Sequence, residues 1–377
     1  MKYPLLPYSQ LVYDSTRGMP NVYMFGMTMR IPGGAEFLNQ WQNALISAFL
    51  NHPVFSTHID WHGRQSEGKL KDVLNGKYHQ VTIRVDGKDL EIQGHMSRIL
   101  GDGASLKILL EDICLAYNKE SLQKDDYWEY LEYVEQQKQS QHYADSRTWL
   151  VSEFADESIP VRPTIDKYHW TLLPPKAGLY GDDYTNLYEN ILHLSETESL
   201  SLDGFFSLCA ALAILEYCGT NEAALTWAYE GRERLEEQRI FGSLHRDIPF
   251  KISRESLIAN LKSDLIREAR NQIRAGIAHS DYPYTLTAPY NKRWNYAVNV
   301  LRVEDECELV KLLPQPIELL PSPSQKYAYA LLDIEIHEST ERLEIVYRYS
   351  ASHYKEESIK RFASFVRKYA EWLLEKE

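Results

Sequence analysis

The chain is short of positive charge. Its 377 residues carry 41 Lys+Arg against 54 Asp+Glu, for a net charge of −13. A phosphate backbone would be repelled overall, so nucleic acid is not expected as a partner. Cysteine is scarce as well. Cys114, Cys209, Cys218 and Cys307 are scattered, and no pair has the close spacing of a zinc ribbon or a redox motif. Reduced thiols in a cytoplasmic protein are what this usage implies. Long hydrophobic runs are missing. "MKYPLLPYSQLVYDS" lacks the apolar stretch of a signal peptide. "FFSLCAALAIL" at 205–215 is too short to cross a bilayer and reads as a buried helix, so no membrane association is expected. No G-x-S-x-G elbow occurs, which removes a Ser-His-Asp hydrolase. A lone "GDG" at 101–103 is too little for a nucleotide fingerprint.

What is present points to an ordered globular chain. Hydrophobic residues make up 44% and aromatics 12%, with 26 tyrosines, enough for a full core. The length predicts two domains. Phe37, Trp41, Ala44, Leu45 and Ala48 share one helical face. "VTIRVDGKDLEIQGHM" predicts two strands joined through Asp86-Gly87. Leu106, Leu109, Leu110, Ile113 and Tyr117 form a second helical stripe. "RILGDGAS" is therefore a strand-to-helix loop, a common place for chemistry.

Further along, 120–150 reads as polar helix and "LLPPKAGLYGDDY" at 172–184 as a linker. Leu257, Leu261, Leu265 and Ile273 predict one amphipathic helix. "WNYAVNVL", "YAYALLDIEI" and "RLEIVYRY" predict strands, and Ile359, Phe362, Val366, Tyr369 and Leu373 a closing helix. The charge run "EGRERLEEQR" at 230–239 predicts a solvated helix face. His58 and His62 flank Asp60 at a spacing that would suit metal ligands on a helix. The surrounding residues favour strand, so surface or core histidines are expected and no metal.

Several segments together resemble a condensation domain of nonribosomal peptide synthetases, within the chloramphenicol-acetyltransferase-like superfamily. "LLPYSQLVYDS" resembles the opening motif, a turn after a proline, and "NALISAFLNHPVFST" the first helix and its ending. "RTWLVSEF", "YEGRERLEEQRIFGSLHRDIPF" and "AGIAHSDYPY" resemble the tryptophan segment, the Gly-Arg motif with its proline strand, and the "a-h-q-d-y-P-f" signature. The defining H-H-x-x-x-D-G motif is met by Asp102 and Gly103, but Ser97 and Arg98 stand on its two histidines. His95 lies three residues upstream of Arg98, on the other strand face by parity. The "HRDIP" turn, 245–249, departs from the family's asparagine-containing turn.

The resemblance implies an α/β (α+β) fold of two chloramphenicol-acetyltransferase-like lobes, 1–175 and 176–377. Each lobe is a mixed sheet with packed helices. Together they are expected to form a V-shaped pseudo-dimer with Arg98 and Asp102 in a central tunnel. It implies amide-forming acyl transfer between carrier-bound phosphopantetheine thioesters, with no tightly bound cofactor. The partners implied are peptidyl or aminoacyl carrier protein domains, with a tailoring enzyme as a further candidate. Ser97, Arg98, Asp102 and Gly103 are the candidate site residues, and Arg232 of the Gly-Arg motif a structural partner of Asp102. Arginine stays protonated and has no acceptor, so catalysis is expected to be lost or weakened, leaving a carrier- or partner-binding platform. The alternatives are an active enzyme using Arg98 electrostatics and a coenzyme A-dependent acyltransferase. "YPYTLTAPYNKRW" at 282–294, with Tyr290, Lys292 and Arg293, is the expected docking patch.

Overall fold

The structure is a computed structural model. It describes the whole chain except residues 1, 17, 21, 70–71, 155–158, 160, 168–174, 260, 285–297, 304–309, 321–325, 329, 341 and 376–377. The chain folds into two compact units. The first is Met1–Gln137 with two returning segments, Glu230–His245 and Glu304–Lys326. The second is Lys138–Tyr229, Arg246–Val303 and Tyr327–Glu377.

In the first unit, β1 (Tyr3–Pro4), β4 (Arg64–Glu67) and β3 (Thr57–Ile59) make a small sheet. A second sheet has the order β11 (Glu318–Leu320), β2 (Met24–Ile31), β6 (Asp89–Ser97), β5 (His79–Asp86), antiparallel throughout. The β5–β6 hairpin turns where the sequence predicts, with Asp86 opposite Asp89 and Gly87 at φ 63°, a left-handed conformation that suits glycine. Between the strands run α1 (Pro7–Thr16), α2 (Leu38–Asn51), α3 (Gly103–Tyr117) and α4 (Tyr127–Gln137). The opening motif is thus a helix, α1, rather than a turn: Pro7 needs no amide partner at a helix start. α2 buries Trp41, Ala44, Leu45, Ala48 and Phe49, whereas Phe37 precedes the helix and stays partly exposed. Trp41 Nε1 donates to Gln315 Oε1 (3.3 Å) and Gln315 donates to the Tyr117 hydroxyl (2.8 Å), tying a returning segment to α2 and α3.

The second unit is built on a six-stranded sheet. Its order is β7 (Ala177–Asp183), β13 (Leu343–Ser350), β12 (Leu332–Glu338), β10 (Val298–Val303), β8 (Glu222–Tyr229), β9 (Arg246–Ser253). β10 runs parallel to β8 and β12, and the other pairs are antiparallel, so the sheet is mixed. α5 (Gln141–Phe154), α6 (Tyr188–Glu198), α7 (Leu202–Cys218), α8 (Arg254–Ala259), α9 (Lys262–Ala278) and α10 (Glu356–Leu374) belong to this unit. α7 is the apolar stretch expected to be a buried helix. Ser201 caps it by accepting from Gly204 N (3.2 Å), Gly219 closes it at φ 64°, and every residue from Leu202 to Leu215 except Asp203 is buried. No single helix among the described residues is long and apolar enough to cross a membrane. α10 buries the five residues its periodicity indicates.

Four expectations are corrected. Contacts divide the chain near residue 137, not at 175, because Leu150 and Phe154 of α5 pack with Tyr282 and Tyr284 in the second unit. The described part of the expected linker is strand β7, recruited as an edge partner of β13. The helix expected over 257–273 is two helices: Leu261 is extended (ψ 159°) and heads α9 as its cap residue. The charge run 230–239 is turn and coil, its shape set by buried partners described below.

Behind the first unit's sheet lies a buried charge cluster that the sequence did not announce. His52, which ends α2, has Nδ1 at 2.8 Å from Asp125 Oδ2 and Nε2 at 3.2 Å from Asp112 Oδ2, all three side chains essentially excluded from solvent. Asn51 Nδ2 donates to Asp112 (2.8 Å), Arg239 pairs with both Asp112 and Glu111, and Phe241 N donates to Asp125 (3.1 Å). Burial alone would lower the His52 pKa, but its hydrogen bonds to Asp112 and Asp125 outweigh burial and raise it above 6.5. A raised folded value means this pairing stabilises fully below the unfolded value near 6.5 and is lost as pH climbs through the folded value. Thermal stability of the wild type should therefore fall as pH rises above about 6.5. His52→Asn should remove that slope and lower stability by about 3–5 kcal/mol by leaving the buried Asp125 carboxylate without its cation; an unchanged slope would exclude His52 as its source.

Candidate functional site

The loop singled out by the sequence leaves β6 at Ser97 and enters α3 at Gly103. Ser97 is fully buried, with its amide donating to Tyr78 O (2.7 Å) and its hydroxyl accepting from Ile99 N (3.3 Å). Both Ser97 contacts are structural. Ser9 Oγ donates to Ile99 O (2.8 Å), and Ser243 Oγ to Arg98 O (3.2 Å). Gly101 is dictated by space: a Cβ there would sit 2.9 Å from the Phe241 ring and 3.0 Å from Ser105. Gly103 is not, since a Cβ on it would meet nothing within 4 Å.

Asp102 is the organising residue. It caps α3 by accepting from Ser105 N (2.9 Å), while Ser105 Oγ accepts from Asp102 N (3.2 Å), a reciprocal box. Its carboxylate receives Arg232 through both terminal nitrogens, each at 3.0 Å. It also accepts from Ser105 Oγ (2.8 Å), Leu244 N (2.9 Å) and His245 N (3.2 Å). Arg232 Nη2 also donates to Ile240 O (3.2 Å), Gly242 O (2.9 Å) and Ser105 Oγ (3.2 Å), while its buried Nε has no partner among the described residues. The two side chains are 3% and 6% exposed. Burial works to raise the Asp102 pKa, yet the Arg232 charge and these hydrogen bonds prevail and lower it. A carboxylate offers about four lone-pair positions. Asp102 has six donors on it, so it is saturated and cannot serve as a base.

Arg98, the residue the sequence count sets on the motif's second histidine, lies in the same loop. Its amide donates to Tyr23 O (3.1 Å), and its guanidinium lies 5.6 Å from the Phe25 ring centroid, over the aromatic face. The group is a permanent cation beside the Asp102 frame.

One residue here was missed by sequence reasoning. His245, quoted above only as part of a departure, brings an imidazole to the same place. Its backbone amide is on Asp102, and its ring packs edge-on against Tyr8 with centroids 3.6 Å apart. Burial, the first cause, depresses its pKa to about 4; Asp102 opposes this, and Arg98 and Arg232 add to it. The ring is therefore neutral near pH 7 and formally an acceptor. With a conjugate acid about three units below neutrality, its driving force for taking a proton is small. His95, on β6, also has its pKa lowered by burial. His58 is exposed on β3, and no group of three metal-ligating side chains occurs among the described residues. Of the expected docking patch, Tyr282 and Tyr284 are core residues of the second unit, while Tyr290, Lys292 and Arg293 lie outside the described residues.

A family model described as "Condensation domain" matches residues 95–376. No curated protein matches the sequence. Among solved structures, the fold is similar to the X-domain from teicoplanin biosynthesis, with TM-score 0.79 and 14% identity over 98% of this chain and 94% of that one. It is similar to the epimerization domain from the third module of tyrocidine synthetase B, with TM-score 0.78 and 15% identity over 99% and 97%. A complex of the X-domain and OxyB matches with TM-score 0.77 and 13% identity over 99% and 93%.

Two outcomes test this geometry. Asp102→Ala should lower stability by about 3–5 kcal/mol, because Arg232 is left buried without its anion. Asp102→Leu/Arg232→Met should recover part of that loss; a single variant melting like the wild type would remove the structural role. Separately, Arg98→Ala should raise the His245 pKa from about 4, because one of two opposing cations is gone. Imidazole proton titration by NMR reads the shift directly, and no change would mean that Arg98 does not act on the ring.

Proposed function

Because the chain belongs to the condensation-domain family, we propose that it serves peptide assembly as a binding platform in which histidine-dependent amide formation is lost or strongly weakened. The observation that carries this reading is the electrostatics of the loop. Forming an amide from a carrier-bound thioester requires a group that takes or orients the amine's proton near neutral pH. Arg98 has no acceptor, Asp102 is saturated, and His245 is too weakly basic. Arg98 would also oppose an incoming ammonium. The Asp102–Arg232 frame needs none of that chemistry, so the fold persists without it.

The ligands of such a platform are carrier domains presenting phosphopantetheine thioesters, or a tailoring enzyme acting on what they carry. The solved complex of the teicoplanin X-domain with OxyB supports the second kind, since a body of this fold there engages a separate protein. One observation favours a second reading, an active acyl-transfer enzyme: the neutral His245 imidazole and the Arg98 cation adjoin the same loop. Positioning with oxyanion stabilisation would then supply the rate.

A single assay separates the two. With donor- and acceptor-loaded carriers, amide formation should stay at background, while the same carriers or a neighbouring tailoring enzyme bind in calorimetry. Turnover that disappears in Arg98→Ala or His245→Ala overturns the platform and establishes the enzyme.

A further inference from the structure

A cavity of ≈ 480 Å³ opens in the first unit, apart from the Asp102 frame and its hydrogen bonds. Its size lies within the range of small-molecule sites. Buried apolar side chains make its floor: Val54, Phe55, Ile59 and Leu100. Its wall is kept in place by Gly68, where a Cβ would collide with Ser56 O.

The rest of the lining is polar, with cations in excess of acid. Tyr78 is 4% exposed, and its hydroxyl is buried with no hydrogen-bond partner among the described residues. That hydroxyl is closed off from solvent, so Tyr78 offers the cavity its ring rather than a donor. His79 is neutral, its pKa lowered by burial, and its Nε2 is committed to Val73 O (2.9 Å). At the mouth, Lys69 and Lys77 are exposed, and Lys77 Nζ stands 4.8 Å from the Tyr78 ring centroid. Glu67 is the one acid in the lining. Two lysines against one carboxylate leave a surplus cation on a chain whose overall charge is −13.

We propose that this cavity is a binding site for a small amphiphilic carboxylate, its apolar body on the Val54–Phe55–Ile59–Leu100 floor and its anion held by Lys69 and Lys77 at the mouth. A single negative charge matches the surplus. A phosphate is disfavoured, because neither arginine nor a helix N-terminus contributes to the lining. The inference is independent of the platform reading, since no residue of the Asp102–Arg232 frame takes part.

Biphenylcarboxylate serves as the probe, with biphenylmethanol as its neutral counterpart, in calorimetry on the full chain. The carboxylate should bind saturably at one site, and the alcohol at least about tenfold more weakly. Lys69→Glu/Lys77→Glu, at exposed positions that leave the core intact, should weaken the carboxylate by at least about tenfold. Val54→Trp, which fills the floor, should abolish binding of both probes. Absence of saturable binding, equal affinity for alcohol and acid, or an unchanged affinity in the double lysine variant each overturns the proposal. Circular dichroism of the lysine variant confirms that a loss is not unfolding.

Discussion

One buried ion pair organises the first unit. Asp102 and Arg232 are 130 residues apart in sequence and meet through two hydrogen bonds of 3.0 Å. The carboxylate simultaneously starts α3 and holds the amides of Leu244 and His245. Taking either ion out of water costs several kcal/mol, and only a complete set of partners repays it. Here six donors fill the carboxylate and both terminal guanidinium nitrogens are bonded, leaving only Arg232 Nε without a partner among the described residues, so breaking the pair costs far more than forming it gains. That asymmetry explains how a loop can keep its acid and its arginine partner while a proton acceptor is missing. A base contributes to a reaction, whereas this pair contributes to the fold.

The returning segment Glu230–His245 shows the same constraint from the other side. It forms neither helix nor strand, yet it belongs to the first unit. Its anchors are charges and amides. Arg232 meets Asp102, Arg239 meets Glu111 and Asp112, and Phe241 N meets Asp125. Phe241 adds ring contacts to His52 and Phe55, with centroids 5.0 and 4.8 Å away. A run of alternating charges read by pattern alone suggests a solvated helix. Its acids mostly do face solvent, but two of its arginines turn inward because carboxylates from α3 and its cap are buried there.

Periodicity made the regular elements legible. α2, α3 and α10 follow their apolar spacing, α7 follows from its continuous apolar run, and the β5–β6 hairpin follows from Asp86-Gly87. The failures share a cause. Leu257 and Leu265 suit one helix, but the break at Leu261 is set by extended backbone that no side-chain period encodes. Residues 177–183 look like linker because an edge strand needs little hydrophobicity. At the site, Asp102 and its motif were legible locally, and Arg232 only through the family resemblance, because nothing in the intervening residues dictates their meeting. His245 and His52 escaped because a histidine's role is fixed by the charges around it, which single-sequence reading does not bring together.

Those two histidines expose how the unit separates a fixed charge from a titrating one. Asp102 is neutralised by arginine, which stays protonated at any pH the protein meets. Asp112 and Asp125 share a histidine whose pKa is raised; Asp112 also has Arg239, so it is the neutralisation of Asp125 that changes with pH. His245 lies beside Arg98 and Arg232, and its pKa moves the opposite way, to about 4. An imidazole paired with carboxylates is driven to hold its proton, whereas His245 is depressed first by burial, with Arg98 and Arg232 adding to the shift and Asp102 opposing it. Arg98 therefore adds a permanent positive charge to a ring that burial has already made a weak base. Proton transfer at this ring requires relief of its burial as well as removal of the cation.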